Sequence, residues 1–239
     1  MIERHLLKLR ARDTVSPEEE HAIRDAIGEL RFLPADHVAV HAGRIVDYSI
    51  MLLEGIMCRY KDLSDGQRQI TELHIAGDFV DLHSFTLKRL DHSIITMTPC
   101  QVAIVPHANL ERITERLPHL TRLYWFMTNM DAAIHREWEV SLGRRSAASR
   151  IAALLCELKL RSEVVGLTEG LSYNLPLTQT DLAECVGLTS IHVNRTLKEL
   201  REKGLVHFRG GRVVIDNWSG LVRVAEFDPA YLYLEKWQT

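Results

Sequence analysis

The sequence predicts an α+β protein with an N-terminal antiparallel β-barrel, a long helix, and a C-terminal winged helix-turn-helix. Three observations predict this order. Short apolar runs separated by turn residues fill residues 37–105, and an apolar stripe with helical spacing fills residues 118–143. Two short helical segments and a hairpin signal then fill residues 175–215. These patterns are typical of strands, of one long helix, and of two helices followed by a wing.

Length and composition are those of a globular protein with two ordinary domains. The chain has 239 residues, of which 46% are hydrophobic and 26% are charged, enough to bury a core in each domain. Charged residues interrupt the N-terminal apolar residues, and no apolar run has the length of a membrane span. We therefore expect a cytoplasmic protein with no membrane partner.

Neither the cysteines nor the histidines have the spacing of a metal site. The 4 cysteines lie far apart without a CxxC pair, so we expect buried thiols rather than disulfides or zinc ligands. The 12 histidines include no HExxH motif. We therefore predict no metal and no cofactor. A haem or metal ligand among the barrel histidines is the less favoured alternative.

The first strong element is a helix that begins at Ser16. The serine can cap the helix, Pro17 suits its first position, and Glu19 can complete a capping box. We expect this helix to run to about Leu30.

Strands are predicted between His37 and Val105. The apolar runs are rich in β-branched residues, and glycine or proline turns separate them, as in an antiparallel sandwich or barrel. The predicted strands are His37–Val40, Tyr48–Leu53, Ile56–Tyr60, Ile70–Ile75, Ser93–Thr96 and Gln101–Val105.

One long helix should follow, over about Pro118 to Gly143. Its apolar stripe repeats at intervals of three or four residues: Leu120, Leu123, Met127, Met130, Ile134, Trp138 and Leu142. Such a helix spans over ~30 Å, so it either lies on its own barrel or pairs with a second copy. Because stripes sustained over several heptads often pair helices, we favour a homodimer interface. Asp131, close to the stripe, does not fit this pattern.

A helix-turn-helix is predicted after Leu175. Thr178 can cap a short helix with Asp181 as its capping-box partner, and Gly187 supplies the turn. Thr189 can cap a second helix that ends near Gly204. The apolar residues of the second helix define its buried side: Val193, Leu197 and Leu200.

The opposite side of the second helix carries groups suited to the major groove of DNA. Arg195 can bind guanine with a forked pair of hydrogen bonds, Asn194 can pair with adenine, and exposed Ile191 can contact a thymine methyl. The net charge of the protein is −3, but between Ser190 and Arg212 six basic residues are opposed by only two acidic ones.

A basic β-hairpin should follow the second helix. Gly210-Gly211 is a two-residue hairpin signal, and Arg209 and Arg212 flank it where a wing meets the DNA backbone. We therefore predict double-stranded DNA as a partner and no catalytic residues. The predicted DNA-binding residues are Thr178, Gln179, Thr189, Ser190, Ile191, His192, Asn194, Arg195, Lys198, Arg209 and Arg212.

Taken together, these elements resemble the Crp/Fnr superfamily of bacterial transcription regulators. The resemblance rests mainly on residues 178–197 and on the barrel-turn glycines Gly55, Gly66 and Gly77. It implies a cyclic-nucleotide-binding-like barrel (a jelly roll) over residues 1–116, a dimerisation helix over 117–145 and a DNA-binding domain over 146–239. It further implies a homodimer on a palindromic DNA site, with RNA polymerase as a further partner.

The effector site departs from the pattern of the family. Leu82 stands where cyclic-AMP-binding members have a ribose-binding glutamate, and His92-Ser93 stands where they have an Arg-Ser pair. Without a permanent cation, and with Asp81 nearby, a cyclic phosphate would lose its strongest contact. Cyclic AMP in the usual mode is not expected. An iron–sulfur cluster of the Fnr kind would need an N-terminal cysteine group, and the first cysteine is Cys58. The sequence assigns no effector to the barrel.

Two other functions remain open. The winged helix could bind a partner protein in a small-molecule sensor, or the barrel could be a metal-dependent enzyme. The enzyme would need converging histidines, and His37 and His41 precede Gly43 at an expected turn. The aromatic residues of the C-terminal tail are expected to be structural: Phe227, Tyr231, Tyr233 and Trp237.

Overall fold

The computed structural model describes residues 1–235 and confirms the predicted α+β architecture. The chain forms two compact units. Residues 1–61, 72–132 and 233–235 belong to the first, and residues 62–71 and 133–232 belong to the second. No helix among the described residues has both the length and the apolarity needed to cross a membrane. The four cysteines are buried, and none is in a disulfide.

The chain begins with two helices, α1 (Glu3–Arg12) and α2 (Pro17–Asp25), followed by strand β1 (Glu29–Leu33). Ser16 caps α2, and the predicted capping box with Glu19 is present. The expectation that this helix reaches Leu30 is wrong. The helix stops early because the chain passes close to Pro106: a Cβ added to Gly28 would lie 2.9 Å from its ring. The backbone N–H of Gly28 donates to the carbonyl of Ile104 there.

The barrel contains each of the six predicted strands. Its strands and a short helix are β2 (Val38–Val40), β3 (Tyr48–Glu54), β4 (Ile56–Asp62), β5 (Arg68–Ile75), α3 (Ser84–Leu87), β6 (Ser93–Thr96) and β7 (Cys100–Pro106). Together with β1 they form two sheets, with strand orders β1-β7-β3 and β2-β6-β4-β5. Strand β7 pairs antiparallel with β1 and β3, and β6 pairs antiparallel with β2 and β4.

Two helices follow the barrel, α4 (His107–Arg116) and the long α5 (Pro118–Arg144). One apolar cluster fills the barrel between its sheets, and a second joins α1, α2, α4 and the start of α5 to the outer face of strands β3 and β7. The apolar stripe of α5 belongs to the interior of the protomer, which corrects its assignment to a dimer interface. The exposed fractions are 0% for Leu120, 5% for Leu123, 5% for Met127, 9% for Met130, 1% for Ile134 and 8% for Trp138, and Leu142 is half-buried.

The second unit contains a helical domain with a small sheet. Its elements are α6 (Ala147–Val164), β8 (Thr168–Glu169), β9 (Ser172–Asn174), α7 (Gln179–Val186), α8 (Ser190–Glu202), β10 (Val206–Arg209), β11 (Arg212–Ile215), α9 (Trp218–Ala225) and a 3-10 turn at Pro229–Leu232. The sheet has the order β10-β11-β9-β8. Strands β8 and β9 are not predicted from the sequence, because strands of two and three residues carry no periodic pattern.

The tail is structural in its described part, as predicted. Phe227 is buried, and the hydroxyl of Tyr231 donates to a carboxylate oxygen of Glu157 over 2.9 Å. In the first unit, the ring of Tyr233 contacts that of Phe126 edge-on, with 6.0 Å between centroids. Trp237 lies outside the described residues.

Candidate nucleic-acid interface

Helix α7 begins and ends at the residues that the sequence indicated. The backbone N–H of Asp181 donates to the hydroxyl of Thr178 over 3.1 Å, and the N–H of Thr178 donates to the Asp181 carboxylate over 2.7 Å. This capping box satisfies two N–H groups that have no partner within a helix. The helix ends at Gly187, whose φ of +63° lies in the left-handed region that glycine adopts without strain.

Helix α8 is held by one buried face. Thr189 caps it, because its hydroxyl accepts a hydrogen bond from the backbone N–H of His192 over 3.2 Å. The predicted buried side is confirmed, since the exposed fractions of Val193, Leu197 and Leu200 are 0%, 8% and 0%. Burial of these residues fixes which side of α8 is turned outward.

The outward side of α8 presents an apolar group beside basic ones. Ile191 is 82% exposed, an unusual degree for an isoleucine on a folded helix. Arg195 and Lys198 are also exposed. The ammonium of Lys198 lies 3.7 Å from the carboxylate of Glu202, whereas Arg195 makes no ion pair within residues 1–235. The guanidinium of Arg195 is therefore available to an outside partner.

The polar residues at the start of α8 differ in their surroundings. Ser190 is exposed and His192 is half-buried. The side-chain amide of Asn194 is exposed but already bonded, since its Nδ2 donates to Oε1 of Gln179 over 3.0 Å. Gln179 is the first residue of α7, so this hydrogen bond joins the outer ends of the two helices.

The hairpin has the predicted turn, but its two arginines differ in their ion pairing. Gly210 and Gly211, with φ of +60° and +73°, connect β10 to β11 and place Arg209 opposite Arg212. The Arg212 guanidinium binds the Glu169 carboxylate at 2.5 Å and the Ser172 hydroxyl at 2.9 Å. In the described part of the chain, Arg209 has no ion pair. Sequence reasoning missed Glu169 because its strand has only two residues.

Comparison with known proteins assigns the family. Residues 30–116 match the cyclic nucleotide-binding domain family, and residues 149–224 match the Crp-like helix-turn-helix domain family. The nitrogen fixation regulation protein FixK of Bradyrhizobium diazoefficiens is 34% identical over 173 residues, which are 69% of each chain. The chain belongs to the Crp/Fnr family of transcription regulators.

Two further relatives cover more of this Crp/Fnr chain. The transcriptional activator protein FnrL of Cereibacter sphaeroides is 27% identical over 216 residues, 88% of this chain and 86% of the relative. The structure of FixK2 from Bradyrhizobium japonicum superposes with a TM-score of 0.75 at 25% identity, covering 82% of this chain and 96% of that one. The protein is a DNA-binding regulator, of a family whose members are not enzymes.

The barrel of this Crp/Fnr regulator contains a buried ion-pair cluster. Arg59, on β4, is 2% exposed. One guanidinium nitrogen binds the Glu72 carboxylate at 2.6 Å, a second binds the Asp131 carboxylate at 3.0 Å, and Nε donates to the carbonyl of Val80 over 2.7 Å. Burial, together with the Glu72 charge, raises the pKa of Asp131. The cluster explains Asp131, which did not fit the apolar pattern of α5: its carboxylate is the helix's contribution to a buried charge network.

The segment after the Gly77 turn contains a buried leucine and aspartate and two half-buried histidines. Leu82 is buried. The rings of His83 and His92 lie 5.3 Å apart, and burial, aided by Arg59, lowers the pKa of His83 to about 2. Burial raises the pKa of Asp81 to about 7, while its carboxylate accepts a 2.6 Å hydrogen bond from the N–H of Ile50. Within residues 1–235, no three histidine, cysteine, aspartate or glutamate side chains are grouped to hold a metal ion.

Proposed function

We propose that the chain acts as a homodimer that binds a palindromic site on double-stranded DNA, with α8 in the major groove and the β10–β11 hairpin on the backbone. The observation that carries this proposal is the outward side of α8, where Ile191 is 82% exposed beside Arg195. Exposure of the isoleucine side chain to water is unfavourable, whereas packing against a thymine methyl would bury part of its apolar surface. Arg195 is positioned to bind guanine as a fork.

Besides Asn194 and the exposed Lys198 on α8, the remaining predicted DNA-binding residues divide into two groups. Arg209, which is exposed, is suited to bind phosphate, whereas Arg212 would first have to share its charge between Glu169 and the DNA. At the helix starts, exposed or half-buried polar groups and N–H groups suit the sugar-phosphate backbone: Thr178, Gln179, Thr189, Ser190 and His192.

The dimer contact that we propose lies on the exposed side of α5. There, exposed residues follow at intervals of three and four, as in a coiled-coil seam: Arg122, Trp125, Asn129, Ala132, Arg136, Glu139 and Gly143. Trp125, in this series, is 68% exposed, and Val140, beside Glu139, is 51% exposed. Large apolar side chains exposed on a long helix support a contact with a second copy there. The domain division at residues 116 and 145, and RNA polymerase as a partner, also belong to this proposal.

The regulator does not use cyclic AMP in the usual mode. The cation of the barrel interior, Arg59, is already bound by two carboxylates. Where a phosphate-binding arginine would lie, His92 contacts the Asp91 carboxylate at 3.0 Å. A cyclic phosphate entering there would meet a histidine bound to a carboxylate instead of the charged fork of an arginine.

The first test is selection of DNA sites from a random pool by the purified full chain, at low and at physiological salt. We expect an inverted repeat with half-sites about 34 Å apart and binding that weakens steeply with salt. A profile without sequence preference would overturn the proposal and favour a partner protein for the winged helix.

The second test concerns the α5 surface. Trp125→Glu should shift the protein from dimer to monomer in sedimentation and weaken binding to the full palindrome far more than to a half-site. The matched control is Phe32→Glu, because Phe32 is an equally exposed aromatic on β1 (72%). If both variants remain dimers, the proposed contact surface is wrong.

A further inference from the structure

The hydrogen bond between Gln179 and Asn194 joins two side chains that face DNA in the proposed mode. Nδ2 of Asn194, on α8, donates to Oε1 of Gln179, on α7, over 3.0 Å. Asn194 is exposed and Gln179 is half-buried. The capping box of α7 fixes the backbone from which Gln179 extends, because Gln179 follows directly on the cap residue Thr178.

This hydrogen bond determines which donor and acceptor groups of each amide remain for binding DNA. Asn194 keeps one N–H and its carbonyl oxygen Oδ1, while Gln179 keeps both N–H groups of Nε2. One donor beside one acceptor matches adenine, which offers N7 as an acceptor and N6 as a donor in the major groove. The two donors on Nε2 match a phosphate oxygen, which only accepts hydrogen bonds.

We propose that Gln179 is a positioning residue that fixes the amide orientation of Asn194 and so determines its preference for adenine, while its own Nε2 binds the adjacent phosphate. The inference rests on the proposed DNA-binding function. It assigns base specificity to a residue that touches no base. Without the bond, the Asn194 amide could turn over and present its N–H groups and carbonyl in other arrangements, and its discrimination between base pairs would fall.

Two substitutions of Gln179 separate its two roles. Gln179→Glu keeps an acceptor for Asn194 but loses the donors and adds a charge that phosphate repels, so affinity should fall on every sequence with base preference unchanged. Gln179→Lys keeps a phosphate donor but cannot accept a hydrogen bond from Asn194. Its affinity should stay close to that of the wild type, while its preference for adenine is lost.

The experiment measures binding of the full chain to the selected palindrome and to three versions substituted at the base pair that Asn194→Ala relaxes. Asn194→Ala should lose roughly 5- to 150-fold discrimination there, and Gln179→Ala about 3- to 10-fold at the same base pair only. The double variant should lose no more than Asn194→Ala alone. Thr180→Ala, on the next exposed residue of α7, is the control and should leave discrimination unchanged.

Uniform weakening by Gln179→Ala on all four sequences, with discrimination intact, would overturn the coupling. Additive losses in the double variant would overturn it as well. Both outcomes leave the proposed function standing, because the wild type still selects its palindrome. If the wild type selects no sequence, the function fails and the coupling with it. Both residues lie on the surface, and thermal unfolding of each variant checks that the fold is intact.

Discussion

The barrel interior and the outward side of α8 differ in how their arginine side chains are paired. Arg59 is 2% exposed and bound by Glu72 and Asp131, whereas Arg195 is exposed and forms no ion pair in the described part of the chain. A buried cation needs its counter-charges within the protein, since desolvation without them costs several kcal/mol. A cation that binds another molecule must be left free for it. The pairing of Arg59 therefore suits a structural role, and the unpaired, exposed guanidinium of Arg195 suits a binding role.

The largest effect should come from breaking the barrel cluster. Arg59→Met leaves the buried Glu72 and the half-buried Asp131 carboxylates without the guanidinium that pairs them, so the free energy of unfolding should fall by about 3 to 5 kcal/mol. Urea unfolding followed by circular dichroism measures it. Arg195→Met, the matched change on the surface, should stay within about 0.5 kcal/mol of the wild type. Equal losses in the two variants would contradict the difference between the regions.

A second effect should appear as a pH dependence that belongs to Asp81. Burial raises the pKa of Asp81 from 3.8 to about 7 in the folded protein, so between these values the folded state binds a proton that the unfolded state has released. The stability contributed by Asp81 is therefore complete below pH 4 and is lost as the pH rises toward 7.

The measurement for Asp81 is the difference in unfolding free energy between wild type and Asp81→Asn across this window. One pKa unit corresponds to about 1.4 kcal/mol. As the pH rises, the wild type should therefore lose roughly 2 to 4 kcal/mol of unfolding free energy relative to Asp81→Asn. A constant difference from pH 4 to pH 7 would show that Asp81 ionises normally in the barrel.

The third effect concerns the unpaired arginine of α8. Arg195→Ala should relax preference at one base pair by about 1 to 3 kcal/mol, because a forked contact to guanine is lost. Competition binding with single-base variants of the palindrome measures it. An equal loss of affinity on every sequence would instead assign Arg195 to the DNA backbone.

The smallest effect compares the two arginines of the hairpin. Arg209→Ala should weaken all DNA sequences alike and reduce the salt slope by about one. Arg212→Ala should change affinity less, by under about 1 kcal/mol, because Arg212 is already paired with Glu169 on the surface. Salt titrations of DNA binding by both variants test which arginine contributes more. A larger change in slope for Arg212→Ala than for Arg209→Ala would contradict the prediction.

Sequence by itself determined the elements that depend on neighbouring residues. The caps at Ser16, Thr178 and Thr189 lie where the sequence predicts them, because a cap is a hydrogen bond between residues three positions apart. The buried side of α8 and the six predicted barrel strands followed from periodicity in the same way.

Tertiary structure decided what depends on residues far apart in the chain. The end of α2 depends on Gly28 meeting Pro106. The partner of the apolar stripe of α5 also depends on the fold. An amphipathic helix has the same sequence pattern whether its apolar side packs against its own chain or against a second copy. Asp131 and Arg59 are 72 positions apart, so only the folded chain brings these charges together.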